Sequence, residues 1–412
     1  MDMNTTLNDD FFDWVEAHIN DDLAALRLKY AGKSGPLDYA EAITQIECRR
    51  RFGKKLADTL AAFPRFYFPS VLAGEQSTAD VVASFHASLV AEGLPAADLT
   101  AGLGIDALHA ATRASSVTAI ERDKPKVEAL RYNARGMHVA DSVEAIEGDC
   151  TDFTDKCLAD GRRFATVFID PARRAADGSR VFALSDCEPQ VTAMMPKLSR
   201  ICDLLIIKAS PMLDIAHTIA EVTPPPMAVM AVGTATECKE LLIMVNFAHQ
   251  ASDTPTLIEA VTLGAHRQAE IFSFTAAQEL NAPQPPVCDT LTEGCYIYEP
   301  SPALMKTGAL RLVASRWNLR IFHPNTRLLT SHEYVEGFHG TAYRVTKVLP
   351  WASKVLKRFA REYPRINVTV RNFGMSADAL RAKLGVRDGG SQQLFGFTDS
   401  HGNRVLAVTE KV

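Results

Sequence analysis

Ala97-Asp98-Leu99-Thr100-Ala101-Gly102-Leu103-Gly104-Ile105-Asp106 decides how the rest of the chain reads. A short apolar strand ends at an acid, a turn with two glycines follows, and a helix begins. Gly102 and Gly104 let the backbone pass close to a ligand at the switch point of an open parallel sheet. Read alone, Gly102-x-Gly104-x-x-Ala107 also satisfies a relaxed dinucleotide fingerprint, so the glycines do not select the ligand.

Outward from this turn, short apolar runs alternate with helical ones. Strands are expected over Ala97–Thr100, Val117–Glu121, Ala145–Gly148, Thr166–Ile169, Leu204–Lys208, Met227–Val232 and Leu241–Phe247. Helices separate the first six, which gives parallel βαβ units. Only Gly233–Glu240 lies between the last two, a hairpin that adds one reversed strand. The predicted fold is α/β, with a seven-stranded Rossmann-like sheet whose last strand runs backwards.

The acids then select the ligand. Asp98, Glu121, Asp149 and Asp170 fall at or just after four successive strand ends, which converge on one crevice. Asp98 would repel a diphosphate held by the neighbouring turn. S-adenosylmethionine instead offers an ammonium, a cationic sulfonium, a ribose diol and an exocyclic amine, all suited to carboxylate acceptors. The expected cofactor is cationic.

With these residues in view, 76–250 resembles a class I S-adenosylmethionine-dependent methyltransferase. The resemblance implies that Asp98, Thr100, Ala101, Gly102, Gly104 and Asp106 form its first cofactor motif. It also implies that Glu121, followed by Arg122, grips the ribose hydroxyls and that Asp149 and Cys150 flank the adenine. Asp170-Pro171-Ala172-Arg173-Arg174 matches the catalytic motif, which makes Asp170, Pro171 and Arg173 the candidate catalytic residues. Asp170 also borders the cofactor.

The acceptor is constrained by what this motif lacks. Amino-group methyltransferases acting on bases carry an aromatic at its fourth position to stack on a flipped base, and Arg173 stands there. Carbon-5 uridine methyltransferases of RNA need a cysteine nucleophile after the next strand, where this chain reads Lys208-Ala209-Ser210-Pro211. Serine is a poor nucleophile for that attack, so direct in-line transfer is the expected mechanism. Arg173 and Arg174 either hold a phosphate or close the loop by ion pairing. Lys208, Ser210 and Gln76-Ser77-Thr78 are weaker candidates for the same crevice.

Residues 1–75 read as a helical cap, with Phe12, Val15, Ile19, Leu23 and Leu26 at helical spacing before Phe63-Pro64 breaks the pattern. Residues 251–342 read as a small α+β domain. Within 343–412, Val370-Arg371-Asn372-Phe373-Gly374 and Gly389-Gly390 before Leu394-Phe395-Gly396 resemble a THUMP-like domain. Upstream, Tyr298-Glu299-Pro300-Ser301 and Asn325-Thr326-Arg327 resemble the ferredoxin-like segment that precedes it. True THUMP domains bind structured RNA, so the resemblance implies an RNA partner, transfer or ribosomal.

Charge agrees with that implication. The whole chain of 412 residues carries a net charge of −5, yet from Ser301 onward there are 18 Lys and Arg against 7 Asp and Glu. A basic module on an acidic body suits a polyanion. Lys347, Lys354, Lys357, Arg358, Arg361, Arg365, Arg371, Arg381, Lys383 and Arg387 are the candidate phosphate contacts, and Arg49-Arg50-Arg51 with Lys54 and Lys55 form a second basic cluster. Trp351, Tyr363 and Phe373 are candidates to stack on bases, but their spacing places them in the core.

With 47% hydrophobic and 23% charged residues, the composition is globular and excludes disordered and collagen-like classes. No apolar run is long enough to span a bilayer, and a cytoplasmic protein without a membrane partner is expected. Eight scattered cysteines show no metal-ligand spacing, so no metal is expected. The reading is thus a methyltransferase acting on RNA. A methyltransferase of a small molecule or protein, and a non-catalytic RNA-binding scaffold, are the alternatives.

Overall fold

The computed structural model describes residues 7–33, 35–173, 183–248, 254–264 and 268–412, Arg173 by its backbone alone. Two compact units form. One holds Met1–Met227 and Leu241–Thr254; the other holds Ala228–Glu240, Pro255–Gly264 and Gln268–Val412.

In the first unit, β1 (Pro95–Asp98), β2 (Ser116–Glu121), β3 (Val143–Glu147) and β4 (Phe164–Ile169) are joined by helices over Ile105–Ala110, Lys124–Gly136 and Cys150–Asp160. β5 (Ala172–Arg173) and β6 (Cys187–Glu188) pair as a small antiparallel ladder, and β7 (Cys202–Ala209) returns to the sheet. β1 lies between β2 and β4, with β3 beyond β2 and β7 beyond β4, all parallel. The chain therefore turns in opposite directions on leaving β1 and β4, and their carboxyl ends open the switch-point crevice.

β8 (Ala228–Gly233) belongs to the second unit, and β9 (Cys238–Asn246) returns antiparallel to β7 through Leu241–Asn246. All seven expected strands form, including the reversed one. β1 stops two residues before the expected end, at Asp98, although Leu99 N still donates to Phe168 O of β4 at 2.9 Å.

The helical cap packs Phe11, Phe12, Val15, Leu26, Ala42, Ile43 and Ile46 into one apolar cluster. Asn8, Asp22 and Asp38 cap three of its helices by accepting backbone N–H groups. Asn133, fully buried on the helix Lys124–Gly136, joins the cap to the sheet. Its Oδ1 accepts from Tyr67 N at 2.8 Å and its Nδ2 donates to Tyr67 O at 3.0 Å.

Arg49, Arg50 and Arg51 act within the cap. Arg49 donates to the carbonyls of Pro64 and Phe66, Arg50 to those of Ile19 and Asp21, and Arg51 pairs with Glu47 and Glu75. Lys55 donates to Gly74 O and Glu75 O. This cluster braces the cap's own backbone.

In the second unit, β8 pairs in parallel with β10 (Leu257–Leu263), and β10 pairs antiparallel with β11 (Ala269–Thr275). A seven-stranded sheet follows, built from β12 (Tyr296–Pro300), β13 (Arg320–Ile321), β14 (Leu329–Ser331), β15 (Gly340–Pro350), β16 (Asn367–Arg371), β17 (Gln392–Thr398) and β18 (Arg404–Lys411). Its order is β13-β14-β12-β15-β18-β17-β16. Helices over Ser353–Glu362 and Ala377–Leu384 share an apolar cluster with it, in which Phe373 is buried and Trp351 and Tyr363 are partly buried.

Seven of the eight cysteines are buried, and all are free thiols. Burial pushes Cys48 and Cys202 up to about 12, so these behave as apolar filler.

Asn133→Ala removes both bonds to Tyr67 and leaves its backbone groups partly buried without them. A loss of about 2 kcal/mol in unfolding free energy is expected from urea titration, with the sheet's spectral signature retained in the folded baseline.

Candidate functional site

Three strand ends are tied together by backbone groups before any side chain faces a ligand. Thr100 N donates to Asp98 Oδ1 at 3.1 Å, and Thr100 Oγ1 accepts from Asp170 N at 2.7 Å. Ala101 N donates to Ile120 O at 2.8 Å, which folds the glycine turn toward β2. Glu121 completes the link. Its Oε2 accepts from Gly102 N at 2.9 Å and its Oε1 from Asp123 N at 2.8 Å.

The two glycines differ in what surrounds them. Both have positive φ, +56° at Gly102 and +87° at Gly104. A Cβ on Gly104 would meet Leu130 at 2.3 Å, so this position serves helix packing. A Cβ on Gly102 would meet no protein atom within 4 Å. The space above Gly102 is open, as a ligand cradle requires.

The acids divide by environment. Asp98 is buried, and that burial, with the charges of Asp106 and Asp170, raises its pKa to about 7 against the pull of Thr100 N–H and Lys208. Asp106 goes the other way. Burial opposes its ionisation, but His86, Lys208 and Thr78 hold it well below the usual carboxylate range. His86 Nδ1 lies 2.8 Å from Asp106 Oδ1, and Thr78 Oγ1 donates to Asp106 Oδ2 at 2.5 Å. Lys208 Nζ donates to Thr78 Oγ1 at 3.2 Å and pairs with Asp170 Oδ2 at 2.9 Å. A continuous polar chain therefore runs from His86 through Asp106, Thr78 and Lys208 to Asp170.

Asp170 is half exposed, so it stands at the rim of this chain. Pro171 is buried behind it, and the Arg173 backbone pairs with Cys187. Arg174 lies outside the described residues. Asp149 caps the helix Cys150–Asp160, its Oδ1 accepting from Thr151 N at 2.7 Å and Asp152 N at 3.4 Å. Among the described residues no bond engages its Oδ2. Cys150 is buried and its thiol pKa raised, chiefly by that burial, while Arg122 is exposed at the strand edge. Ser77 caps its own helix through Gly74 O, and Ser210 Oγ accepts from Met212 N within a turn.

The structure thus joins Asp98, Thr100, Gly102, Glu121 and Asp170 in one bonded network, and adds Thr78 and Lys208. Sequence reasoning missed His86. Its only signal was an imidazole amid the apolar helix Asp80–Leu89, where it is 1% exposed. Among the described residues no group of three metal-ligating side chains forms. No described helix is long and apolar enough to cross a membrane.

A crystal structure of a candidate methyltransferase from Porphyromonas gingivalis W83 matches over 98% of both chains, at 30% identity and a TM-score of 0.84. The chain belongs to this methyltransferase family. Its residues 80–183 match the family described as conserved hypothetical protein 95, residues 296–338 a ferredoxin-like domain, and residues 340–411 a THUMP domain-like family. The family is of the class I type, and its cofactor is S-adenosylmethionine.

More distant likenesses include SMU.776, a candidate methyltransferase complexed with S-adenosylhomocysteine, at 15% identity and a TM-score of 0.30 over 34% of this chain and 38% of that one. An RNA methyltransferase from Salinibacter ruber aligns at 19% identity and a TM-score of 0.29 over 42% of this chain and 93% of that one. Neither carries the assignment. No match is found among curated proteins.

Two predictions test the cradle. Gly102→Ala keeps the fold at a cost of about 1 kcal/mol for its left-handed backbone, yet abolishes S-adenosylhomocysteine uptake by calorimetry. Gly104→Ala, which meets Leu130, shows instead a large fall in melting temperature.

The second concerns pH. A bound cation favours ionised Asp98, so its pKa falls on binding and a proton leaves. Affinity for S-adenosylmethionine should therefore weaken as pH drops below about 7, by up to tenfold per unit. Asp98→Asn flattens that profile. It also raises the melting temperature at pH 8, because the fold bears the cost of ionised Asp98 only above the ordinary carboxylate range.

Proposed function

We propose that this protein transfers the methyl group of S-adenosylmethionine to RNA, transfer or ribosomal, by direct in-line displacement. The observation that carries the reading is the gathering of Asp98, Asp106 and Asp170 around one crevice, with Gly102 bare beside it. Three carboxylates against one lysine and one histidine leave room for an added cation.

When bound, the cofactor supplies an electrophilic methyl group on a cationic sulfur. The chain's own residues hold and align. Asp98 and the Gly102 turn take the amino-acid end, and Glu121 accepts from the ribose hydroxyls. A carboxylate has about four acceptor sites, so its two backbone bonds do not exhaust it. Asp149 Oδ2 accepts from the adenine amine. Asp170, held by Lys208, orients the acceptor and takes its proton at the rim.

RNA as acceptor is supported by the THUMP domain-like match over 340–411 and by the excess of basic residues after Ser301. The non-covalent route follows from Lys208-Ala209-Ser210-Pro211, where a covalent mechanism would need cysteine.

Nucleoside profiles of RNA from cells with and without this protein should differ by one methylated species. An unchanged profile refutes the RNA acceptor. Asp170→Ala should lower transfer at least about 10²-fold while calorimetric uptake of S-adenosylhomocysteine persists.

A further inference from the structure

Apart from Arg387, which is exposed on a separate segment, the candidate phosphate contacts of the second unit fall into two kinds. Lys347 pairs with Glu362 at 2.5 Å, Arg371 with Glu299 at 2.7 Å and Arg381 with Asp378 at 2.8 Å, while Lys383 lies over the Trp351 ring. These side chains are occupied within the fold. Lys354, Lys357, Arg358 and Arg361 are different. All four are exposed, and among the described residues no carboxylate, carbonyl or ring partners them.

They share one helix, Ser353–Glu362, and one face of it. Leu356, Phe359, Ala360 and Tyr363 recur at i, i+3, i+4 and i+7 and pack against Ile366, Leu380 and Leu384. The four cations repeat the same spacing two residues earlier, so they form the stripe turned from that core. From Lys354 to Arg361 the stripe runs about 10 Å.

Such a helix is arranged against its own stability. Its first turn holds no acid and contains Lys354, and Ala352 before it supplies no side-chain cap. Cations near a helix amino end, and like charges at i,i+3 and i,i+4, are both unfavourable. The helix's single acid, Glu362, is taken up by Lys347. Local rules broken together without an internal compensation mark a surface built for an outside anion.

We infer that the Lys354, Lys357, Arg358 and Arg361 face is the surface that grips the phosphate backbone of the RNA substrate. This rests on the RNA reading above and narrows it from a whole basic tail to one helix face. The contacts are to phosphates and position the strand; they do not read bases.

The test uses the full chain, with fluorescein-labelled transfer RNA as probe and salt varied from 50 to 200 mM. The comparison is with the quadruple variant Lys354→Gln, Lys357→Gln, Arg358→Gln and Arg361→Gln. Each phosphate no longer neutralised should flatten the log–log salt slope by about 0.7 to 0.9, so a decrease of about 2 to 4 is expected, with at least about tenfold weaker binding at low salt. The variant's melting temperature should not fall, since repulsion within the helix is relieved, and its uptake of S-adenosylhomocysteine should be unchanged. Equal RNA binding and equal slope in both proteins overturn this inference and leave the RNA reading standing. No RNA binding by the wild type overturns both. Duplex DNA bound as tightly as transfer RNA overturns the assignment of the face to RNA.

Discussion

Repulsion among carboxylates governs the first unit. Asp98, Asp106 and Asp170 are close enough that each alters the ionisation of Asp98, and burial strengthens the effect. Left unanswered, that crowding would favour protonation of Asp98. Lys208 and His86 answer part of it, by an ion pair to Asp170 and a hydrogen bond to Asp106. The remainder is a standing preference for positive charge. A site that attracts a sulfonium or ammonium must carry such a deficit before the ligand arrives.

The scaffold is organised to keep that deficit in place. The central position of β1 puts the ends of β1 and β4 side by side, and the Thr100 hydroxyl locks them through Asp170 N. Bonds from the glycine turn to Ile120 O and Glu121 bring in β2. The carboxylates are held by bonds of their own, Asp98 by Thr100 N, Asp106 by Thr78 and His86, and Asp170 by Lys208. Packing of Leu130 against Gly104 seats the following helix, and Asn133 on the neighbouring helix secures the cap. Stability spent on holding like charges together is returned through these ordinary contacts.

Much of this was legible in the chain. Strand ends punctuated by Asp98, Glu121, Asp149 and Asp170 are local signals, since an apolar run and the acid closing it are adjacent in sequence. The THUMP-like resemblance of the tail was equally visible. What escaped were relations of distance. Nothing near Lys208 indicates that it meets Thr78, 130 residues earlier, or that Thr78 leads on to Asp106 and His86. That three consecutive arginines at 49–51 point in different directions follows from helical geometry, but which partners each one finds inside the cap does not. The pairing of β8 with Leu257–Leu263 is a choice of neighbour, which no periodicity specifies. Asp149 fits two descriptions, because capping a helix occupies one oxygen and leaves the other.

The division into units is not a division of the polypeptide into successive stretches. Ala228–Glu240 and Pro255–Gly264 belong with the tail, although Leu241–Thr254 between them belongs with the catalytic sheet. Single-site cleavage or gene fusion at any junction near residue 250 would deprive one unit of its own strands. Interleaving of this kind makes the two halves heritable only as a pair: recombination can replace loops on either, but a single exchange cannot join the first unit to a different second one.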